Sequence, residues 1–181
     1  MKHLNQFITE YIIKKKLDNP IDSENNYKYF PATRQELFKI TQELIDKGQY
    51  DLNCINTERI TDMSNLFVKV TDIDISQWDV SNVENMSNMF YGCSKFEGKV
   101  LENWNVGNVT NMSYMFYYCE NFDCDLYDWN VSNVENMEYM FTWCDNFVGK
   151  GLENWNVSNV INMRDMFDGC TSLKNKPSWY K

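Results

Sequence analysis

The residues of widest chemical repertoire in this chain are its six cysteines, its single histidine and a few closely spaced carboxylates. Cys93, Cys119, Cys144 and Cys170 recur at intervals of 26, 25 and 26 residues. Thiols at regular intervals invite a metal site or disulfides, but either needs several of them to converge on one point. Residues repeated once per unit stack one layer apart instead, which predicts a buried column of small apolar side chains. Cys54 and Cys124 lie outside this ladder, and neither completes a metal-binding spacing.

His3 sits near a terminus, so hydrolytic triads and histidine-rich metal sites are not expected. Paired carboxylates occur as Asp72 with Asp74 and as Asp123 with Asp125, each on the outward positions of a short extended run. Two carboxylates on one strand face are a weak calcium site. The corresponding residues elsewhere are Gly98 with Val100 and Gly149 with Gly151, so the pattern does not repeat and a solvated face is the plainer reading. The expectation is a chain that is not an enzyme and carries no cofactor or metal.

The cysteine interval is the interval of a whole unit. WDVSNVENMSNMFYGC begins at Trp78, WNVGNVTNMSYMFYYC at Trp104, WNVSNVENMEYMFTWC at Trp129 and WNVSNVINMRDMFDGC at Trp155. Such periodicity marks a repeat array. ITDMSNLF from Ile60 aligns with VENMSNMF from Val83 at an offset of 23, giving a shortened first unit and five units in all. The expected organisation is a two-helix N-terminal cap over 1–49, five repeats of about 23–26 residues over 50–173, and a C-terminal edge strand over 174–181. In the cap, Phe7, Ile8, Tyr11, Ile12 and Leu17 outline a first helix. Pro31, the capping box Thr33 with Glu36, the apolar Leu37, Ile40, Leu44 and Ile45, and then Gly48 outline a second.

Within a unit, alternation around Ile73-Asp-Ile75, with equivalents at Leu101, Leu126 and Leu152, predicts a brief strand. Val83, Met86, Met89 and Phe90 then fall at helical spacing, and Ser81 with Glu84, like Ser132 with Glu135, has capping-box spacing. Strands joined by one helix per unit should lie parallel. The fold class expected is therefore an α/β solenoid, a leucine-rich-repeat-like right-handed coil of short parallel strands and short helices. Asn82, Asn108, Asn133 and Asn159, and likewise Asn85, Asn111, Asn136 and Asn162, are expected to be buried amides that satisfy the backbone from layer to layer. The four repeated tryptophans are expected to stack in the core.

The shared wording W-[DN]-V-[SG]-N-V-x-N-M-x-x-M-F-x-x-C resembles the BspA-like leucine-rich-repeat surface proteins, and in particular the Met-Phe-rich repeat of bacterial surface lipoproteins. The resemblance covers residues 50–181 and implies an interaction scaffold without catalytic residues.

In a repeat array, function is expected where the units differ. Tyr114 and Tyr118 occupy one unit, and Tyr139 and Trp143 the same positions of the next, while the flanking units have Asn88 with Gly92 and Asp165 with Gly169. Four large aromatics on the predicted helical wall make either a protein-binding cluster with polar surroundings or a set of rings folded down over their own helices. The competing surface on the strand wall is acidic: Asp74, Glu102, Asp125 and Glu153, with Tyr127, suited to a basic partner. Residues 50–181 hold 9 Lys and Arg against 19 Asp and Glu, a balance that repels a phosphate backbone, so nucleic acid is not an expected partner.

No apolar run approaches a membrane span, and the start reads as neither a signal peptide nor an anchor. The chain is thus expected to be cytoplasmic as synthesised, with no membrane partner. The leading functional reading is a protein-interaction or structural module, with a phage or virus particle as one setting. A surface adhesin binding host protein, and a calcium- or carbohydrate-binding module, are the alternatives.

Overall fold

The computed structural model describes residues 27–181. Helix α1, Arg34–Asp46, forms where its punctuation places it. Thr33 takes an extended conformation and its Oγ1 accepts the Glu36 amide at 3.2 Å, while the Glu36 carboxylate reaches back to the Ala32 amide at 2.7 Å. Leu37, Thr41 and Leu44 are buried against the first unit. Gly48, at φ 76°, closes the helix with its amide on the Ile45 carbonyl. The first helix outlined by the sequence, and His3, lie outside the described residues.

The remainder overturns the expected fold class. Among the described residues α1 is the one α-helix; two single-turn 3-10 helices, Lys99–Leu101 and Leu152–Asn154, accompany it, and there is no strand. The chain is therefore not an α/β solenoid of the leucine-rich-repeat kind. The reason lies in where the amides point. Over the segment expected to be helical, Met86, Asn88, Phe90 and Gly92 donate to the carbonyls of Asn111, Ser113, Met115 and Tyr117 in the next unit, at 2.7–3.0 Å. The intervening Met89, Tyr91 and Cys93 donate three residues back, to Met86, Asn88 and Phe90. The result is a run of tight turns whose third residues, Asn88 and Gly92, adopt φ of 56° and 71°. Ser81 and Ser132 consequently have no helix to cap; their amides are held by the side chains of Asp79 and Asn130.

The expected strands fail for a different reason. Ile73 and Ile75 are buried around an exposed Asp74, so the alternation is real, but it supports only a single bridge, Asp51 to Asp74. Later units place Gly98, Gly149 and Gly151 in this stretch at φ of 80–88°, which interrupts any extended ladder. Units are joined instead by isolated parallel bridges linking Asp62, Asn85, Asn111, Asn136 and Asn162 in succession.

Side chains of equal rank stack between these layers. Phe67, Phe90, Phe116, Phe141 and Phe167 form one column, with centroids 5.6–5.8 Å apart, and Phe96, Phe122 and Phe147 each lie against a member of it at 4.0–4.5 Å. The tryptophan column is buried, and the indoles of Trp78, Trp129, Trp155 and Trp179 donate to the carbonyls of Leu52, Leu101, Leu126 and Leu152. Trp104 is the exception: its indole N–H is buried with no partner among the described residues.

The asparagines divide into two kinds. Asn82, Asn108, Asn133 and Asn159 do bridge units, donating to the carbonyls of Glu58, Ser81, Gly107 and Ser132, but they are exposed, not buried. Asn85, Asn111, Asn136 and Asn162 act locally, each side chain accepting the amide two residues ahead and so shaping its own turn.

Candidate functional site

Every unit holds two residues in the left-handed region. The first position carries Asn65, Asn88, Tyr114, Tyr139 and Asp165, at φ of 51–57°. The second carries Lys69, Gly92, Tyr118, Trp143 and Gly169, at φ of 59–72°. This conformation costs an ordinary L-residue roughly 1–2 kcal/mol, and Gly, Asn and Asp tolerate it best. The outer units comply, Lys69 apart. The two central units place four bulky aromatics there.

The rings are organised across the layers. Tyr114 stacks on Tyr139 at 4.9 Å, and Tyr118 on Trp143 at 5.9 Å with only 5° between planes. Tyr117 stands between the two stacks, edge-on to Tyr118 at 4.7 Å and to Tyr139 at 6.1 Å, and itself stacks on Tyr91 at 5.0 Å. The face is thus six rings, not four. Tyr91 and Tyr117 share one repeat position, where later units have Thr142 and Asp168, so comparing that position between units would have found them. Tyr118 and Trp143 remain 42% and 41% exposed, whereas Tyr114 and Tyr139 are half-buried. The expected cluster of four therefore does assemble, but on turns instead of helices.

The surroundings fix the chemistry of the face. Trp143 leans over Gly169, where an added Cβ would come within 2.7 Å of the indole. The Arg164 guanidinium lies 5.8 Å from the centre of the Tyr139 ring and bonds to Asp165 at 3.1 Å. A hydrogen bond to Asp165 raises the Tyr139 phenol above its ordinary pKa, and desolvation raises Tyr114 and Tyr117. These phenols are therefore neutral at physiological pH, offering apolar area and hydroxyl groups to a contact.

The acidic residues are dispersed into local duties. Asp74 accepts the Ser76 amide at 3.0 Å, which holds its carboxyl below the usual range. Asp125 ion-pairs with Lys150, which lowers its pKa, and also accepts the Tyr127 amide. Glu153 accepts the Ser178 hydroxyl at 3.2 Å, and Glu102 is half-buried. Asp123 accepts the Val148 amide, and Asp72 is exposed. Tyr127, 64% exposed, is the prominent side chain of this side. Among the described residues no three His, Cys, Asp or Glu side chains gather as a metal site, and no helix is long and apolar enough to cross a membrane.

The cysteine ladder is buried, with Cys170 only partly so, and it does more than fill space. The thiols of Cys93, Cys119, Cys144 and Cys170 donate to the carbonyls of Phe67, Phe90, Phe116 and Phe141, at 2.8–3.0 Å. Burial pushes Cys93 up to about 12 and Cys170 to about 11, and carries Cys119 and Cys144 well above the ordinary value. The thiols are thus held in the un-nucleophilic neutral form.

A family described as a Mycoplasma protein of unknown function, DUF285, matches residues 61–180. Among curated proteins and solved structures, none matches the chain.

Proposed function

From the premise that this chain belongs to the DUF285 family, to which no function is attached, we propose that it is a non-catalytic interaction module that binds a protein partner through its aromatic face. The observation that carries this reading is the left-handed backbone under Tyr114, Tyr118, Tyr139 and Trp143. Asn and Gly serve those positions in the unit before, and Asp and Gly in the unit after, at lower conformational cost. Aromatics there cost roughly 1 kcal/mol each in the backbone, a cost that the residues of the neighbouring units avoid. Rings already ordered by stacking at an exposed surface lose little entropy on contact, which suits a binding face. Likeness of the motif to the BspA-like surface proteins supports the same reading, in an adhesin or in a particle component alike.

Site-specific photo-crosslinking in the native source tests it. A crosslinker at Tyr118 should capture a discrete protein, and one at Tyr127 on the acidic side should not. Replacing Tyr139 and Trp143 by Gly should weaken that capture by a factor of ten or more, as truncating about 2 kcal/mol of hot-spot contact would. Capture through Tyr127 alone, or binding indifferent to the double substitution, would overturn the assignment.

A further inference from the structure

Each junction between units uses one set of backbone bonds. Glu84 O accepts the amides of Thr110 and Asn111, Met86 donates to Asn111 O, and Asn88 donates to Ser113 O. The next junctions repeat this set, with Thr110 O and then Glu135 O as the double acceptors, and with Met112 and Tyr114, then Met137 and Tyr139, as the donors. At the last unit the corresponding groups are Ile161 O and the amides of Met163 and Asp165. None of these three is bonded among the described residues.

The side chains tell the same story. Val80, Val106 and Val131 are at most 2% exposed, and Val83, Val109, Val134, Met86, Met112 and Met137 are fully buried by the following layer. Their counterparts Val157, Val160 and Met163 are only half-buried, and Ile161 is 84% exposed. Trp179 covers Trp155 and Tyr180 covers Phe167, so the aromatic columns are closed at this end, although the amides of Phe167 and Gly169 are likewise unbonded among the described residues. At the opposite end the first unit's Ser64 carbonyl is taken by the Arg34 guanidinium, and Leu37, Thr41 and Leu44 on one side of α1 are buried. A second copy therefore cannot offer its own first layer without displacing α1.

We propose that the segment from Val157 to Asp165 is a docking edge for an extended peptide segment of a partner protein, laid parallel to it as one more layer. The internal junctions define what fits: two successive amides to Ile161 O, carbonyls two residues apart for Met163 and Asp165, and a Val-x-Asn-Met type pattern to complete the burial of Val157, Val160 and Met163. This edge is separate from the aromatic face, and neither proposal depends on the other.

The probe is the synthetic peptide VGNVTNMS, the sequence of residues 106–113, titrated into the full chain with amide-resolved NMR. Docking should perturb Met163 and Asp165 selectively and slow their hydrogen exchange at least tenfold at saturation. The same peptide carrying Asn111→Pro loses one of the two donors to Ile161 O and should bind at least tenfold more weakly, with the protein unaltered. The peptide carrying Val109→Asp, which loses the apolar side chain that would lie over Val160, should bind similarly weakly, again with the protein unaltered. No perturbation at millimolar peptide, perturbation elsewhere, or indifference to both substitutions would overturn the proposal. Concentration-dependent association of the chain that protects the same two amides would also overturn it, making the occupant a second copy.

Discussion

Replacing Tyr118 by alanine and, separately, by glycine tests the local backbone with little interference from packing. Both variants lose the same ring, with its stack on Trp143 and its edge contact to Tyr117. They differ in a single methyl group on a residue at φ 59°. Alanine in that region costs roughly 1–2 kcal/mol, and glycine nothing. Glycine returns about 0.4–1 kcal/mol of this through the greater freedom of its unfolded chain. The net expectation is a glycine variant more stable by about 0.5–1 kcal/mol, or ~1–4 °C in melting temperature for a chain of this size. Had the segment been helical, as its apolar spacing predicts, glycine would be the worse residue by about 0.8–1 kcal/mol. The two architectures therefore differ in sign. Thermal and urea melts followed by near-UV circular dichroism decide it, with the same pair at Glu43, an exposed position inside α1, as the control where alanine should win. An alanine variant as stable as the glycine variant at position 118 would refute both the left-handed assignment and the strain argument built on it.

Gly169→Ala should destabilise by about 2 kcal/mol, combining left-handed strain with the clash against Trp143, and by only about 1 kcal/mol in a Trp143→Gly background; a double-mutant cycle of melts reads the difference. Trp104→Phe should cost about 1 kcal/mol less than Trp129→Phe in urea denaturation, because only the second removes a hydrogen bond, the one to Leu101 O. Raising the pH should destabilise the fold: an unfolded thiol ionises near 9.0, whereas Cys93 keeps its proton until about 12. The contribution is complete below pH 9 and then falls by about 1.4 kcal/mol per pH unit per thiol, so Cys119→Ala should flatten the stability profile between pH 9 and 11.

Which residues enter the core was legible, because inward positions depend on spacing and not on the bonds that produce it. Val83, Met86, Met89 and Phe90 are all buried, whether the chain reaches them by helical turns or by tight turns closing three residues back. That same ambiguity hid the backbone: a succession of three-residue turns places apolar residues at i, i+3, i+6 and i+7 as readily as a helix does. The contrary signal was present in the polar residues. Asn85, Asn88 and Gly92 all fall inside the supposed helix, and each favours turns over helix interiors. Thr33 and Glu36 were unambiguous by contrast, since the run they cap contains neither Gly nor Asn. The docking edge was illegible for a deeper reason. Val157, Val160 and Met163 are the same residue types as their buried equivalents, and only the arrangement of layers leaves them half-buried.

Losing the helices strengthens the functional reading of the aromatic face. On a helix, tyrosine and tryptophan at exposed positions would cost a few tenths of a kcal/mol against the best helix formers, and their presence would need no further explanation. At the third residue of a tight turn the same side chains oppose the backbone by roughly 1 kcal/mol each. Stacking between neighbouring units, at 4.9 Å for Tyr114 on Tyr139 and 5.9 Å for Tyr118 on Trp143, offsets this cost with about 0.5–1.5 kcal/mol per pair. With the edge contacts of Tyr117 to Tyr118 and to Tyr139 counted beside the two stacks, the ring pairs together offer about 2–6 kcal/mol against a backbone cost of about 4 kcal/mol, so the rings are held in these turns by one another. Such a surface holds its rings in place in the free chain, which is the property that the proposed binding role draws on.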